Sequence, residues 1–229
     1  MGNTSSSATV GDLVLERPSR SRVFSELGID FCCGGKKTLE RACAERGLDL
    51  AEVVARLEAE PAPAAAVDWR TQPMSALCDH IEATHHEYTK AELPRLRAML
   101  DKVARVHGER HPEMIEVAML FGRLADDLSA HLMKEERVLF PAMRGIDAGR
   151  VVDLSPPVRV MLAEHDDAGA ILHELRTLTK GYVPPSDACN TFRASLAGLE
   201  DFERDLHEHV HLENNVLFPR VMRSEQAAS

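Results

Sequence analysis

The sequence predicts an all-α protein, and two observations carry that prediction. Apolar and polar residues do not alternate convincingly anywhere, so the signal for β-strands is close to absent. Long stretches rich in Ala, Leu, Glu and Arg instead repeat apolar residues at steps of four and three, the period of helices that face a bundle core. Four such segments follow one another, at roughly 74–107, 112–144, 156–180 and 186–224. Because short connections place consecutive long helices antiparallel, we expect an up-down four-helix bundle.

A smaller helical domain is expected before the bundle. Its first helix runs from about Ser19 to Leu27. Thr38 can cap a second helix that Gly47 ends, and a third segment, Leu50 to Glu60, carries one apolar side. A run of Pro and Ala then indicates an extended linker. The predicted organisation is a flexible tail at 1–10, a small helical domain at 11–60, a linker at 61–72 and the four-helix bundle at 73–224.

Composition excludes several classes of protein. The 229 residues include 27 basic and 37 acidic ones, a formal net charge of −10. A nucleic-acid partner is not expected, because its binding needs a basic surface. No apolar run approaches the roughly 20 residues of a membrane span, and the first residues do not resemble a secretory signal. Five irregularly spaced cysteines do not form a disulfide framework, which favours a reducing, cytoplasmic location.

The two halves of the predicted bundle repeat one pattern. The block His131 to Pro141 reads His-x-x-x-Glu and ends in Val-Leu-Phe-Pro, and so does the block that begins 78 residues later at His209. Upstream of each block, His86 is followed by Glu, and His165, 79 residues later, is followed by Asp. Each half thus contributes one histidine from its first helix and a His-x-x-x-Glu pair from its second.

This repeat predicts a metal centre. Residues four apart share a helix face, so the His and Glu of each pair can reach one point together. Bare carboxylates on a core-facing stripe would cost several kcal/mol each unless a cation compensates them. Imidazole and carboxylate ligands together suit Fe, Mn or Zn. The predicted ligands are His86, His131, Glu135, His165, His209 and Glu213.

If both glutamates bridge two metal ions and an oxo or hydroxo group adds a further bridge, each six-coordinate ion keeps about one open position. On iron, such a position binds small ligands such as O₂ or NO, and the ligand set alone does not exclude zinc. The alternative is that these residues are polar groups at the edge of the core, since single His-x-x-x-Glu pairs are common solvated ion pairs. Two matched copies favour the metal centre.

Neighbouring histidines leave a choice of register. His85 and His86 point about 100° apart on a helix, and the match with His165 selects His86. His207 and His211 form a separate pair one face away from the predicted ligands, and we expect this pair to be solvated or partly exposed.

Two further sites are candidates. Adjacent Cys32 and Cys33 cannot easily form an unstrained disulfide, and the nearby Lys36 and Lys37 are expected to lower a thiol pKa. The pair fits a redox thiol, a transient cluster ligand or a partner contact, or else two small buried apolar side chains. Glu164 is a candidate for relaying protons or gating access to the metals, or else a solvated carboxylate. Inert packing is expected of the remaining cysteines, Cys43, Cys78 and Cys189.

Together these motifs resemble the repair-of-iron-centres family of di-iron proteins, which have a hemerythrin-like bundle. The resemblance covers about residues 10–222 and implies that the metal is iron, with the same six ligands by position. The segments that carry it are Asp30 to Gly35, Asp68-Trp69-Arg70, the two His-x-x-x-Glu blocks, Glu164-His165-Asp166 and Glu213-Asn214-Asn215.

The resemblance implies repair of iron–sulfur clusters damaged by nitrosative or oxidative stress, through NO reduction, iron donation or both. An oxidoreductase activity of the nitric oxide reductase type is left open. The implied partners are NO or O₂, damaged iron–sulfur proteins and a second copy in a homodimer. One alternative is a hemerythrin-like protein that binds, stores or senses O₂ or NO without repair. Another is an interaction module that holds no metal.

Overall fold

The computed structural model describes residues 7–61 and 67–228, with side chains described as far as residue 223. The Pro-Ala run at 62–66, predicted to be an extended linker, lies outside the described residues. Over the described ranges the chain is helical and has no β-strand, apart from one isolated bridge between Thr9 and Thr38. The all-α prediction is confirmed.

In residues 7–61 and 67–228, three π-helical turns interrupt the helices, at Glu82–His86, Glu135–Leu139 and Glu213–Leu217. Within the described part of the chain, no helix combines the length and the apolar character that crossing a membrane requires. The α-helices are α1 (Val10–Glu16), α2 (Arg20–Glu26), α3 (Leu39–Arg46), α4 (Leu50–Ala59), α5 (Met74–Ile81), α6 (Glu87–His107), α7 (Glu113–Lys134), α8 (Phe140–Asp147), α9 (Ser155–Leu178), α10 (Asn190–Leu212) and α11 (Phe218–Ala228).

The chain divides into two compact units. The first combines Met1–Leu77 with His207–Ser229, and the second is Cys78–Leu206. The predicted division into a small domain at 11–60 and a bundle at 73–224 differs from these two units, because the chain from His207 onward belongs to the first unit.

Local capping chemistry sets the short helices of the first unit. The Thr38 side chain accepts a hydrogen bond from the Arg41 N–H at the start of α3, and Gly47 ends that helix in the left-handed conformation at φ 65°. Both features follow the sequence prediction. Thr9 caps α1 in the same way, so this helix begins inside the segment predicted as a flexible tail.

The second unit contains the long helices α6, α7 and α9, and α10 as far as Leu206. Helix α6 packs on α7, and α7 packs on α9. The connection of a few residues after His107 turns the chain back, and Arg97 of α6 pairs with Asp126 of α7 at 2.6 Å, as expected for antiparallel neighbours. Phe121 and Phe202 meet in the core with their ring centroids 5.7 Å apart.

Candidate metal centre

The second unit brings four of the six predicted ligands together. Nε2 of His86 lies 3.4 Å from one oxygen of Glu135, and Nε2 of His131 lies 3.2 Å from the other. Ligand atoms of His131, Glu135 and His165 all lie within 4.8 Å of one another. All four side chains are buried. His85 turns elsewhere and places its Nδ1 3.0 Å from a carboxylate oxygen of Asp205.

Two acidic side chains orient the rings of these histidines. Nδ1 of His86 lies 2.9 Å from Oε1 of Glu136, and Nδ1 of His131 lies 2.8 Å from Oε2 of Glu164. An ionised carboxylate only accepts hydrogen bonds, so each Nδ1 carries the proton and donates it. Each Nε2 then presents a lone pair toward Glu135, the arrangement typical of histidines that ligate metals.

The same two carboxylates are held in their ionised form. Burial opposes ionisation, but hydrogen bonds from Lys90 and His86 lower the pKa of Glu136. Hydrogen bonds from Lys134 and His131 likewise outweigh burial and lower the pKa of Glu164. The alternatives for Glu164 were a proton relay or gate and a solvated carboxylate; the structure makes it a partner of His131. No sequence motif marks Glu136 as a site residue, because its partner His86 lies 50 residues away.

The atoms around Glu135 suit a bound cation. This side chain is 0% exposed, and neither of its oxygens accepts a hydrogen bond from the residues that the structure describes. Nε2 of His131 also lies 3.1 Å from Nε2 of His165. Buried lone pairs that face one another are costly unless a cation or a proton lies among them. Nitrogen and oxygen donors in this combination fit iron, manganese or zinc.

Three of the predicted ligands lie at the π-helical turns. His86 is the last residue of the first turn, and Glu135 and Glu213 are the first residues of the other two. In the latter two turns, the N–H of the following phenylalanine bonds to the glutamate carbonyl five residues earlier. The next residue is Pro141 or Pro219, which lacks an N–H and crowds the carbonyl four residues before it, so a wider turn relieves the contact. Such turns are frequent at functional sites.

The first unit holds the other two predicted ligands. Nε2 of His209 lies 3.3 Å from Oε1 of Glu213, and both side chains are buried. His211, between them in sequence, is also buried, and its Nδ1 donates to the carbonyl oxygen of Phe31 at 3.1 Å. Burial lowers the pKa of His211 to about 4. The expectation that His211 is solvated is therefore wrong, because Phe31 packs its ring against it.

The segment that carries Cys32 and Cys33 is fixed by side chains of the same unit. The Asp30 carboxylate accepts hydrogen bonds from the N–H groups of Cys32, Cys33 and Gly34 at 3.0, 2.9 and 2.8 Å. The Asn215 amide donates to the Cys32 carbonyl oxygen at 3.0 Å. Cys32 is buried, Cys33 is half-buried, and the two sulfurs are 4.0 Å apart. The structure thus separates the two thiols by accessibility.

The electrostatics of this segment differ from the sequence prediction. The Lys37 ammonium pairs with Glu45 at 2.7 Å. The hydrogen bond of the Cys32 thiol to Cys33, its burial and the nearby Asp30 carboxylate raise the pKa of Cys32 well above its usual value. The predicted lowering of a thiol pKa by lysines is therefore wrong for Cys32.

One glycine of this segment is required by close packing. A Cβ on Gly35 would lie 2.4 Å from Oδ1 of Asn215 and 2.6 Å from the Phe31 carbonyl oxygen. Only glycine fits there.

The remaining cysteines differ in exposure. Cys43 and Cys78 are buried, as expected of packing thiols. Cys189 is exposed, and its sulfur lies 3.2 Å from Nε2 of His107. The packing role predicted for Cys189 is therefore wrong.

Comparison with known proteins identifies both parts of the chain. Residues 77–221 match the family model described as the hemerythrin HHE cation binding domain. Residues 6–60 match a domain of unknown function, DUF542. The iron–sulfur cluster repair protein YtfE of Musicola paradisiaca (strain Ech703) is 44% identical over 218 residues, which are 95% of this chain and 97% of that protein. The YtfE protein of Pectobacterium carotovorum subsp. carotovorum (strain PC1) is 42% identical over the same shares of the two chains.

The helical bundle and its His and Glu clusters thus define a hemerythrin-like cation-binding protein, and the predicted hemerythrin-like bundle is confirmed. More particularly, the chain belongs to the family of YtfE iron–sulfur cluster repair proteins. This confirms the resemblance that the sequence motifs suggested.

Proposed function

We propose that this protein repairs damaged iron–sulfur clusters with a centre of two iron ions, bridged by an oxo or hydroxo group. The proposed ligands are the six residues of the sequence repeat: His86, His131, Glu135, His165, His209 and Glu213. The observation that carries the proposal is the fully buried Glu135 carboxylate, which faces the Nε2 atoms of two histidines. Family membership supports iron as the metal, because the relatives are named iron–sulfur cluster repair proteins.

Ferrous ions bound at these residues would supply electrons and open coordination positions for NO or O₂. The protein supplies a fixed geometry. Glu136 and Glu164 hold the His86 and His131 rings with the proton on Nδ1, so that both Nε2 atoms stay available as ligands. Glu135 is buried away from water, and its two oxygens would be available to hold the metal.

The biological setting follows from the same proposal. Removal of NO and donation of iron are its two routes, under nitrosative or oxidative stress. The substrates are damaged iron–sulfur proteins, which the segment that carries Cys32 and Cys33 contacts. The protein acts as a homodimer. Five free cysteines suit the reducing cytoplasm.

The test compares two adjacent histidines. Full-length protein and its His86→Ala and His85→Ala variants are produced in iron-supplied cells, and iron is measured with Mössbauer and near-ultraviolet spectra. We expect two irons per chain in the parent and in His85→Ala, with a marked loss in His86→Ala. Iron loss confined to His85→Ala would show that the register is wrong, and a parent without iron would refute the centre.

A second assay separates repair from binding. The iron-loaded protein is mixed with an iron–sulfur enzyme inactivated by NO, and recovery of that enzyme is followed together with consumption of NO. Recovery that needs His86 supports repair. Tight, reversible NO or O₂ binding with no recovery would support the alternative of a storage or sensing protein.

A further inference from the structure

The two adjacent thiols differ in what can reach them. Cys32 is 7% exposed, whereas Cys33 is half-buried and open to a small reagent. We propose that Cys33 is a modification site that forms a mixed disulfide with low-molecular-weight disulfides, while Cys32 remains a thiol beside it. The proposal goes beyond cluster repair and does not depend on a bound metal.

The hydrogen bonds of the two sulfurs assign them different roles. The single S–H of Cys32 faces two acceptors, because its sulfur lies 3.2 Å from Oδ1 of Asp30 and 4.0 Å from the Cys33 sulfur. A carboxylate can only accept, so Cys32 keeps its proton. The Cys33 sulfur receives the Asn214 amide as a donor at 3.7 Å. Because Cys32 is buried and holds its proton between these acceptors, whereas Cys33 is half-buried, reactivity falls on Cys33.

The same surroundings argue against a metal at this place. Ligand atoms of Asp30, Cys32 and Cys33 do lie within 4.8 Å of one another. However, the Asp30 oxygens already accept three backbone N–H bonds, which hold the segment in its conformation. A metal ion would compete with all three for the same lone pairs. Thiol chemistry leaves this arrangement intact.

Closure of the pair into its own disulfide is disfavoured by geometry. Consecutive Cα atoms are about 3.8 Å apart, below the roughly 4.4–6.8 Å that disulfides prefer. The two sulfurs stand 4.0 Å apart, and a bond requires about 2.05 Å. Asp30 on one side and Asn215 on the other hold the backbone that would have to move. An adduct on Cys33 should therefore persist, because Cys32 does not displace it.

The step is an ordinary thiol–disulfide exchange. The Cys33 thiolate attacks one sulfur of a small disulfide RS–SR, whose S–S bond breaks as the bond between Cys33 and SR forms. The leaving RS⁻ takes up the proton that Cys33 lost and departs as RSH. The small disulfide is the oxidant, and no other redox partner is needed.

The test uses glutathione disulfide as the probe, on full-length iron-loaded protein in a Cys189→Ser background. That background removes the other thiol that is not buried. Peptide mapping by mass spectrometry should find one glutathione adduct, on Cys33, in this parent and in its Cys32→Ser variant, and none in Cys33→Ser. Reaction at Cys32, a Cys32–Cys33 disulfide in place of the adduct, or no adduct would overturn the proposal.

Asn214 allows a sharper version of the test. Asn214→Asp keeps the shape of the side chain but places an anion 3.7 Å from the Cys33 sulfur. We expect adduct formation to slow about tenfold or more, with a smaller decrease for Asn214→Ala. High salt should partly restore the rate of Asn214→Asp. An unchanged rate in a folded Asn214→Asp variant would contradict the assigned role of Cys33.

Discussion

Removal of Glu164 should weaken iron binding although this residue is not a proposed ligand. Its Oε2 accepts the Nδ1 hydrogen of His131 at 2.8 Å, and without it the ring is free to rotate and its Nε2 is a weaker donor. Loss of such partners typically lowers metal affinity about 10–100-fold. The Glu164 side chain is 33% exposed and shared with Lys134, so we expect Glu164→Ala to lie at the lower end, about tenfold, or about 1.4 kcal/mol.

The assay is competition for Fe(II) between the protein and a chelator of known affinity, without oxygen. Glu164→Gln keeps a carbonyl oxygen that can accept the same hydrogen bond, so it should lose less affinity than Glu164→Ala. Asp126→Asn is the matched control, because Asp126 precedes His131 by about one turn but is 69% exposed and pairs with Arg97. That variant should bind iron like the parent.

Two outcomes would refute this reasoning. Equal losses in Asp126→Asn and Glu164→Ala would mean that general negative charge, rather than the hydrogen bond to His131, sets the affinity. Unchanged affinity in Glu164→Ala would mean that His131 is held by other contacts or is not a ligand.

Two further predictions concern the first unit and α9. Gly35→Ala should lower the free energy of unfolding by about 1–3 kcal/mol or more, because its Cβ would lie 2.4 Å from Oδ1 of Asn215. Gly169→Ala in α9 is the control: its Cβ would meet nothing within 4 Å, so it should raise the free energy of unfolding by about 0.5–1 kcal/mol. Thermal unfolding of both variants distinguishes a clash from a general effect of the methyl group. The pKa of His211 is lowered from 6.5 to about 4, so the unfolded chain takes up this proton first as the pH falls. This one group should therefore lower the stability of the parent by about 2 kcal/mol between pH 7 and pH 5, in addition to the effects of other groups. His211→Asn keeps an N–H donor for Phe31 without titrating, so urea unfolding should show a smaller loss over that interval, and identical losses in the two proteins would contradict the assignment.

The sequence predicts those features whose causes are local. Thr38 and Gly47 bound α3 as expected, because capping depends on the helix's own first and last turns. The spacing of His131 and Glu135 likewise places them on one helix face, 3.2 Å apart in the structure. A repeat of local patterns is visible without knowing the fold.

Features that depend on distant partners were not predictable in this way. Nothing local in the sequence distinguishes Glu136 from the other acidic residues, because its partner His86 lies 50 residues away and only the fold brings the two together. His211 has the spacing of a solvated pair, and Phe31 covers it from 180 residues away. The prolines that follow Glu135 and Glu213 are a sign in the sequence that the helix is distorted there. A proline alone, however, does not show whether the distortion is a π-helical turn or a kink.

The two copies of the repeat have diverged at the position after the glutamate. In the first copy, Glu136 holds the His86 ring and serves a proposed ligand. In the second copy the same position is Asn214, whose amide meets the Cys33 sulfur instead. An amide cannot supply the charge that orients an imidazole as strongly as a carboxylate does, but it can donate to sulfur. The first copy thus uses this position to orient a proposed metal ligand, and the second copy uses it to contact the thiol of Cys33.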